Sequence, residues 1–139
     1  MPDDTHSLVS YSGRDRLRNV TLGPTPQSYD VMLRSSLSAL NAMPQLQTPA
    51  AAMLLQPSMQ HVVLTYDPVN GRQIYVNGVN ANVPDPQKGG AISNWDNTFA
   101  LVLGNEVSND RSGQGLIKFV AIHSRAMSAT QVMENFNAG

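Results

Sequence analysis

No cysteine occurs among the 139 residues, which excludes disulfides, zinc-thiolate sites and cysteine nucleophiles and leaves the redox compartment open. No apolar run approaches about 18 residues and no charged-then-apolar stretch opens the chain, so the sequence reads as having neither a membrane span nor a signal peptide. Charge of one sign is also missing: nine Lys+Arg stand against ten Asp+Glu, for a net charge of -1. The basic residues are scattered, so a phosphate-binding surface and a nucleic-acid partner are not expected. The three histidines, His6, His61 and His123, lack metal-ligand spacing, and no G-x-S-x-G elbow supports nucleophilic hydrolysis. A chain of this length forms one domain, burying roughly two-thirds of its unfolded surface. A single domain is therefore expected over residues 1–139.

What is present is strand periodicity. In QHVVLTYDPVNGRQIYVNG, residues 60–78, Val62, Leu64 and Tyr66 alternate with Val63 and Thr65. After Asp67-Pro68-Val69-Asn70-Gly71, Ile74 and Val76 alternate with Gln73 and Tyr75. This period of two around a proline and an Asn-Gly pair predicts a β-hairpin, with Val62, Leu64, Ile74 and Val76 supplying core residues. A second reversal is expected at Asn77-Gly78.

Short strands are also expected at 8–11, 19–23, 29–35 and 98–103. In 29–35 the core face is Tyr29, Val31 and Leu33, and the wet face is Asp30, Met32 and Arg34. The RDRLR run reads as an exposed loop, and Asn19-Val20-Thr21 is a glycosylation sequon of little weight. Residues 36–58, interrupted by Pro44, Pro49 and Pro57, read as a long surface connection with a helical turn or short strand. Residues 104–115 read as a polar loop. Residues 116–124, apolar on both faces, read as a central strand covered on both sides. Ser128 with Gln131 forms a capping box for a terminal helix whose Ala129, Val132, Met133 and Phe136 share one side. Short strands, turn signals and one terminal helix predict an antiparallel β-sandwich.

These stretches carry a resemblance. HVVLTYDPVNGRQIYVNGV, GAISNWD, FALVLGNEVSNDR and IKFVAIHSRAMSATQVMENFNAG, with the earlier LVSYSGRDRLRNVTLG and YDVMLRS, resemble the laminin-G-like jelly-roll domains of the concanavalin A-like lectin/glucanase superfamily, in a bacterial subgroup. The resemblance implies an all-β concanavalin A-like jelly roll with one short C-terminal helix. It implies a setting outside the cytoplasm, and a function anywhere from lectin to glycosidase to adhesion module, because fold does not fix function.

A retaining glycosidase needs two carboxylates about 5 to 5.5 Å apart, and the superfamily's glucanases place them together on one strand. Here the only glutamates are Glu106 and Glu134, far apart in sequence, so an enzyme is not expected. The loop GNEVSNDRSGQG gathers Asn105, Glu106, Asn109, Asp110 and Arg111. Calcium needs such oxygen-rich loops, and the resemblance implies calcium at a loop rim, with Glu106, Asp110 and Asn105 as ligands. The other reading makes Asn105 and Asp110 turn residues and pairs Glu106 with Arg111. Asn94-Trp95-Asp96 holds the single tryptophan, which either stacks on sugar beside Asn94, Asp96 and Arg111 or packs in the sandwich. Asp30 and Arg34 are either binders on an open face or a solvated ion pair.

The expectation is a non-catalytic module for glycan or a protein surface, with a structural or assembly module as the alternative. Domains of this resemblance normally begin with a further strand that residues 1–7 do not supply. The expectation is therefore an open sheet edge, covered by residues 36–58 or by a second copy in a two-fold dimer.

Overall fold

A computed structural model describes residues 6–109 and 111–139. Its strands are β1 (Val9–Ser12), β2 (Arg18–Pro24), β3 (Tyr29–Leu33), β4 (Leu46–Gln47), β5 (Val62–Asp67), β6 (Gly71–Val76), β7 (Val79–Asn80) and β8 (Ala100–Leu103), and α1 (Ala129–Asn137) follows. They form an antiparallel five-stranded sheet in the order β4-β3-β2-β1-β8 and a three-stranded sheet in the order β5-β6-β7. This is the β-sandwich with one C-terminal helix that the sequence predicts.

The hairpin forms as expected, with Leu64 opposite Ile74 and Val62 opposite Val76. Asp67 closes its turn by accepting from the backbone N–H groups of Val69 and Asn70 at 2.9 and 2.8 Å. Gly71 follows at φ 74, where a side chain would also collide with Asp85. Ile74 and Val76 are buried with Tyr29, Val31 and Leu46, and Val62 and Leu64 pack partly buried against that cluster. The core lies between the two sheets. Helix α1 has the expected capping box, Ser128 accepting from Gln131 N and Gln131 accepting from Ser128 N, and it buries Val132. Met133 and Phe136 come up against Gly78 in the second reversal.

Three expectations are corrected. All five residues of β3 are buried, including Asp30 and Met32 from the side read as wet. The reason is a second layer: Arg18, Arg111 and the connection through Asn41, Met43 and Gln45 gather over Asp30 and Met32 on that face. Residues 36–58 do contain a short strand, β4, and a 3-10 turn at Ala50–Ala52, but β4 continues the five-stranded sheet beside β3. Residues 116–124 are not a central strand. No strand forms there, and Leu116, Phe119 and Ile122 are exposed, Phe119 to 79%. Among the described residues the outer edges of β5 and β8 carry no strand, and residues 116–124 pair with neither.

Most of residues 1–7, expected to fray and to leave an edge open, lies outside the described residues. His6 and Ser7 are held in place: His6 N donates to Pro24 O at 2.9 Å and Ser7 N to Arg111 O at 3.1 Å.

Candidate functional site

The site follows from the hairpin joining β1 to β2. Its turn places Asp15 and Arg16 both at positive φ, 57 and 58, and Gly13 N donates to Leu17 O at 2.9 Å. Two central residues at positive φ match the right-handed strand twist. Next to the turn the register shifts: Tyr11 opposes Val20, but Ser12 opposes Arg18. Simple alternation would put Arg18 with Val20 and Leu22 on the core side. The bulge re-aims it to the face of Ser10, Thr21, Asp30 and Met32.

There Arg18 meets Glu106. Its Nε donates to Oε1 at 2.9 Å and its Nη2 to Oε2 at 3.2 Å, while Nη1 reaches Asn41 O at 3.2 Å. Arg111 Nε lies 3.8 Å from Glu106 Oε2, and the hydroxyls of Ser7 and Ser108 donate to the same carboxylate at 3.4 and 3.3 Å. The pair is buried on both sides. Asn105 Oδ1 accepts from the backbone of Glu106 and Arg111 at 2.8 and 3.1 Å, which closes the loop. The pairing of Glu106 with Arg111 is thus present, but the shorter partner, Arg18, comes from a run that reads as exposed loop. A charge two residues beyond a turn gives no sign in sequence that a bulge will bury it.

A second buried pair braces the site from the other side. Arg72 Nη2 and Nε donate to Asp85 at 2.8 and 3.0 Å, and Arg72 Nη1 donates to Pro44 O at 2.8 Å. Burial pushes the Asp85 carboxyl up, but the side-chain and backbone hydrogen bonds from Arg72 and the N–H of Gln87 outweigh it, so it sits below the usual carboxylate range. Pro44 belongs to the connection that walls the polar face. Neither Arg72 nor Asp85 stands out in the sequence.

Between these braces is a cleft of about 260 Å³ lined by Arg16, Arg18, Asp30, Met32, Asn41, Met43, Gln45 and Arg111. A second hollow of about 450 Å³ separates the outer face of β5 and β6 from residues 126–129. Its one charged lining residue, Asp67, is committed to the hairpin turn.

The residues of the expected sugar site are placed apart. Trp95 Nε1 donates to Arg34 O at 2.6 Å, and the indole meets Tyr11 edge-on at 6.0 Å between centroids. Tyr11 shares its face with Val9 and Val20, opposite to the cleft. Asn94 Nδ2 donates to Ser35 O at 3.1 Å. The backbone of Asp96 exchanges two hydrogen bonds, at 2.9 and 2.8 Å, with the buried amide of Asn19. That exchange leaves no room for a glycan on Asn19. The Asp96 carboxylate accepts from the Thr98 hydroxyl and N–H, which holds it below its ordinary range. Trp95, Asn94 and Asp96 therefore anchor one loop, while Arg111 lies across the sheet.

Of the expected calcium ligands, Asp110 lies outside the described residues. Glu106 faces guanidinium groups, and Asn105 is engaged in its own loop. Among the described residues, no three His, Cys, Asp or Glu side chains are grouped to hold a metal ion.

A search of curated proteins and a search of solved structures returned no match. A family model of laminin G type, described as the concanavalin A-like lectin/glucanases superfamily, matches residues 2–133, and with this sandwich behind the match, the chain belongs to that superfamily.

Proposed function

We propose that this domain is a non-catalytic binding module, working outside the cytoplasm, that receives its ligand in the cleft between the turn at Arg16, the connection 41–45 and Arg111. Domains of its superfamily of the laminin G type bind carbohydrate or protein surfaces. The observation that carries the reading is the cleft's construction. Its floor is sheet, its walls are tied by two buried arginine–carboxylate pairs, and its lining mixes charged and amide groups with two methionines. A preorganised wall of that kind lowers the cost of ordering the protein around a ligand. Catalysis would require a carboxylic acid free to protonate a leaving oxygen, whereas Glu106 is enclosed and salt-bridged. Calcium at Glu106 would have to displace Arg18, so the proposed binding proceeds without it.

The test is a glycan array and a panel of matrix proteins probed with the labelled domain. Retention that disappears in Gln45→Trp, which fills the cleft, with bound saccharides recovered intact, is the expected result. Retention unchanged in Gln45→Trp removes the cleft from the reading, and cleavage of the bound saccharide removes the non-catalytic part.

A second reading, an assembly role through self-association, is favoured by residues 116–124. Their backbone makes no backbone hydrogen bond among the described residues, and Leu101 and Leu103 on the edge strand β8 are 54% and 53% exposed. Chain without a ladder partner and with exposed apolar side chains can be covered by pairing with a second copy. Light scattering should give a concentration-dependent dimer that Phe119→Asp abolishes, and a strict monomer at high micromolar concentration ends that reading.

A further inference from the structure

The hairpin of β5 and β6 has a second face. Leu64, Ile74 and Val76 face the core, so strand alternation puts two cross-strand pairs, Thr65 with Gln73 and Tyr75 with Asn80, on the outer side. An outer face is ordinarily wet, yet Thr65 is 6% and Tyr75 3% exposed, and with residues 126–129 they line the hollow of about 450 Å³. That volume falls inside the usual range for ligand pockets, roughly 300–1,000 Å³. Gln73 accepts from the Tyr75 hydroxyl at 3.2 Å and Asn80 from the N–H of Asn82 at 2.8 Å, each through its amide oxygen. Both amide NH2 groups and the Thr65 hydroxyl are left to donate into the space they line. The one charged side chain of the lining, Asp67, accepts from Val69 N, Asn70 N and Asn70 Nδ2 at 2.9, 2.8 and 2.9 Å. Among the described residues, then, an anion meets no cation in the lining and a cation no uncommitted carboxylate. Neutral donors beside hydroxyl acceptors match the vicinal hydroxyls of a sugar, which donate and accept alike. Ala126, Met127 and Ala129 give the facing wall apolar surface for ring C–H groups. A peptide suits the hollow less, because the strand backbone beneath is engaged in the β5-β6-β7 ladders and offers no main-chain pairing.

We infer that this hollow binds a neutral sugar, its hydroxyls on Thr65, Gln73 and Asn80 and its ring C–H groups against residues 126–129. It lies on the outer face of the three-stranded sheet, whereas the cleft lies on the outer face of the five-stranded sheet, so the two sites are separate and neither depends on the other.

The experiment is an NMR titration of the full chain with D-glucose, D-galactose and N-acetyl-D-glucosamine, and with sodium D-glucuronate and N-acetylglycinamide for comparison. It is read at the side-chain NH2 groups of Gln73 and Asn80 and the backbone amides of Met127 and Ala129. At least one neutral sugar should shift these signals, and further than glucuronate or N-acetylglycinamide does. Thr65→Val, which keeps the side-chain shape and removes the hydroxyl, should weaken that sugar about fivefold, the usual scale of one net hydrogen bond. Ala126→Trp, which fills the hollow, should abolish binding, and Gln45→Trp in the cleft should leave it unchanged. If Ala126→Trp disturbs the hairpin amides, Thr65→Val decides alone. Glucuronate shifts that match the sugar's overturn the neutral assignment, and larger shifts with N-acetylglycinamide overturn the sugar in favour of a peptide. Sugar binding unchanged in Thr65→Val and Ala126→Trp overturns the site, and so do shifts confined to Asn41 and Gln45, which would support the cleft instead. If none of the three sugars moves these signals, the inference fails, and the cleft is judged separately by retention of Gln45→Trp on the array.

Discussion

Residues 62–76 and 116–124 have closely similar apolar, strand-like sequences and opposite fates. In the first, Ile74 is 1% exposed and every strand residue has a cross-strand partner. In the second, Leu116, Phe119 and Ile122 face solvent and no ladder forms. The difference is not propensity, since both are rich in β-branched and aromatic residues. The hairpin brings its own partner, joined by the three residues 68–70, which close the turn locally. Residues 116–124 need an edge supplied from elsewhere. A strand's burial is a property of the pair, and alternation in one segment reports only half of it.

The sharpest way to test this role of partners is to remove one from a buried charge. Glu106→Gln leaves Arg18 enclosed without its carboxylate, and a loss of about 3–5 kcal/mol is expected by urea denaturation, the usual scale for breaking a buried pair. A loss under about 1 kcal/mol would mean that the pair is wet.

The comparison itself is broken or kept by two truncations. Ile74→Ala should cost about 2–5 kcal/mol as a cavity in the core. Phe119→Ala, measured at low protein concentration, should stay within about 0.5 kcal/mol, as surface substitutions do. Similar losses at the two positions would show that 116–124 is packed after all.

A smaller effect is expected in acid. The Asp85 carboxyl is lowered by its hydrogen bonds from Arg72 and Gln87, so its contribution is present in full above the unfolded carboxylate value of about 3.9. That contribution is lost as pH falls from there through the lower folded value. Chemical denaturation between about pH 5 and 2 should show this decline, and Asp85→Asn should flatten it while lowering stability at neutral pH. An unchanged slope in the variant would place the acid sensitivity elsewhere.

The smallest expected effect is none. Millimolar calcium should leave the melting temperature unmoved, because Glu106 already carries guanidinium partners. A rise that Glu106→Gln abolishes would establish a metal site by linkage.

Much of the fold was legible because its signals are local. The hairpin, the turn at Asp67, the reversal at Asn77-Gly78 and the capping box at Ser128 each depend on residues within a few positions of one another. The candidate site was mostly not legible. Arg18 meets Glu106 across 88 positions, and nothing near RDRLR marks one arginine as the buried one. Trp95, conspicuous as the single tryptophan, is instead held against Tyr11 and the carbonyl of Arg34.

The sequence by itself determined which segments tend to be strand, where the chain reverses, how the helix begins and that no thiol chemistry is available. Short-range sterics, capping and composition act before the chain folds. Only the tertiary structure decided that β3 is buried on both faces, that a bulge turns Arg18 into a polar cleft, and that 116–124 goes without a partner. Each depends on which distant segment arrives beside it, and desolvation and hydrogen-bond pairing are set by that neighbour, not by the residue's own place in the chain.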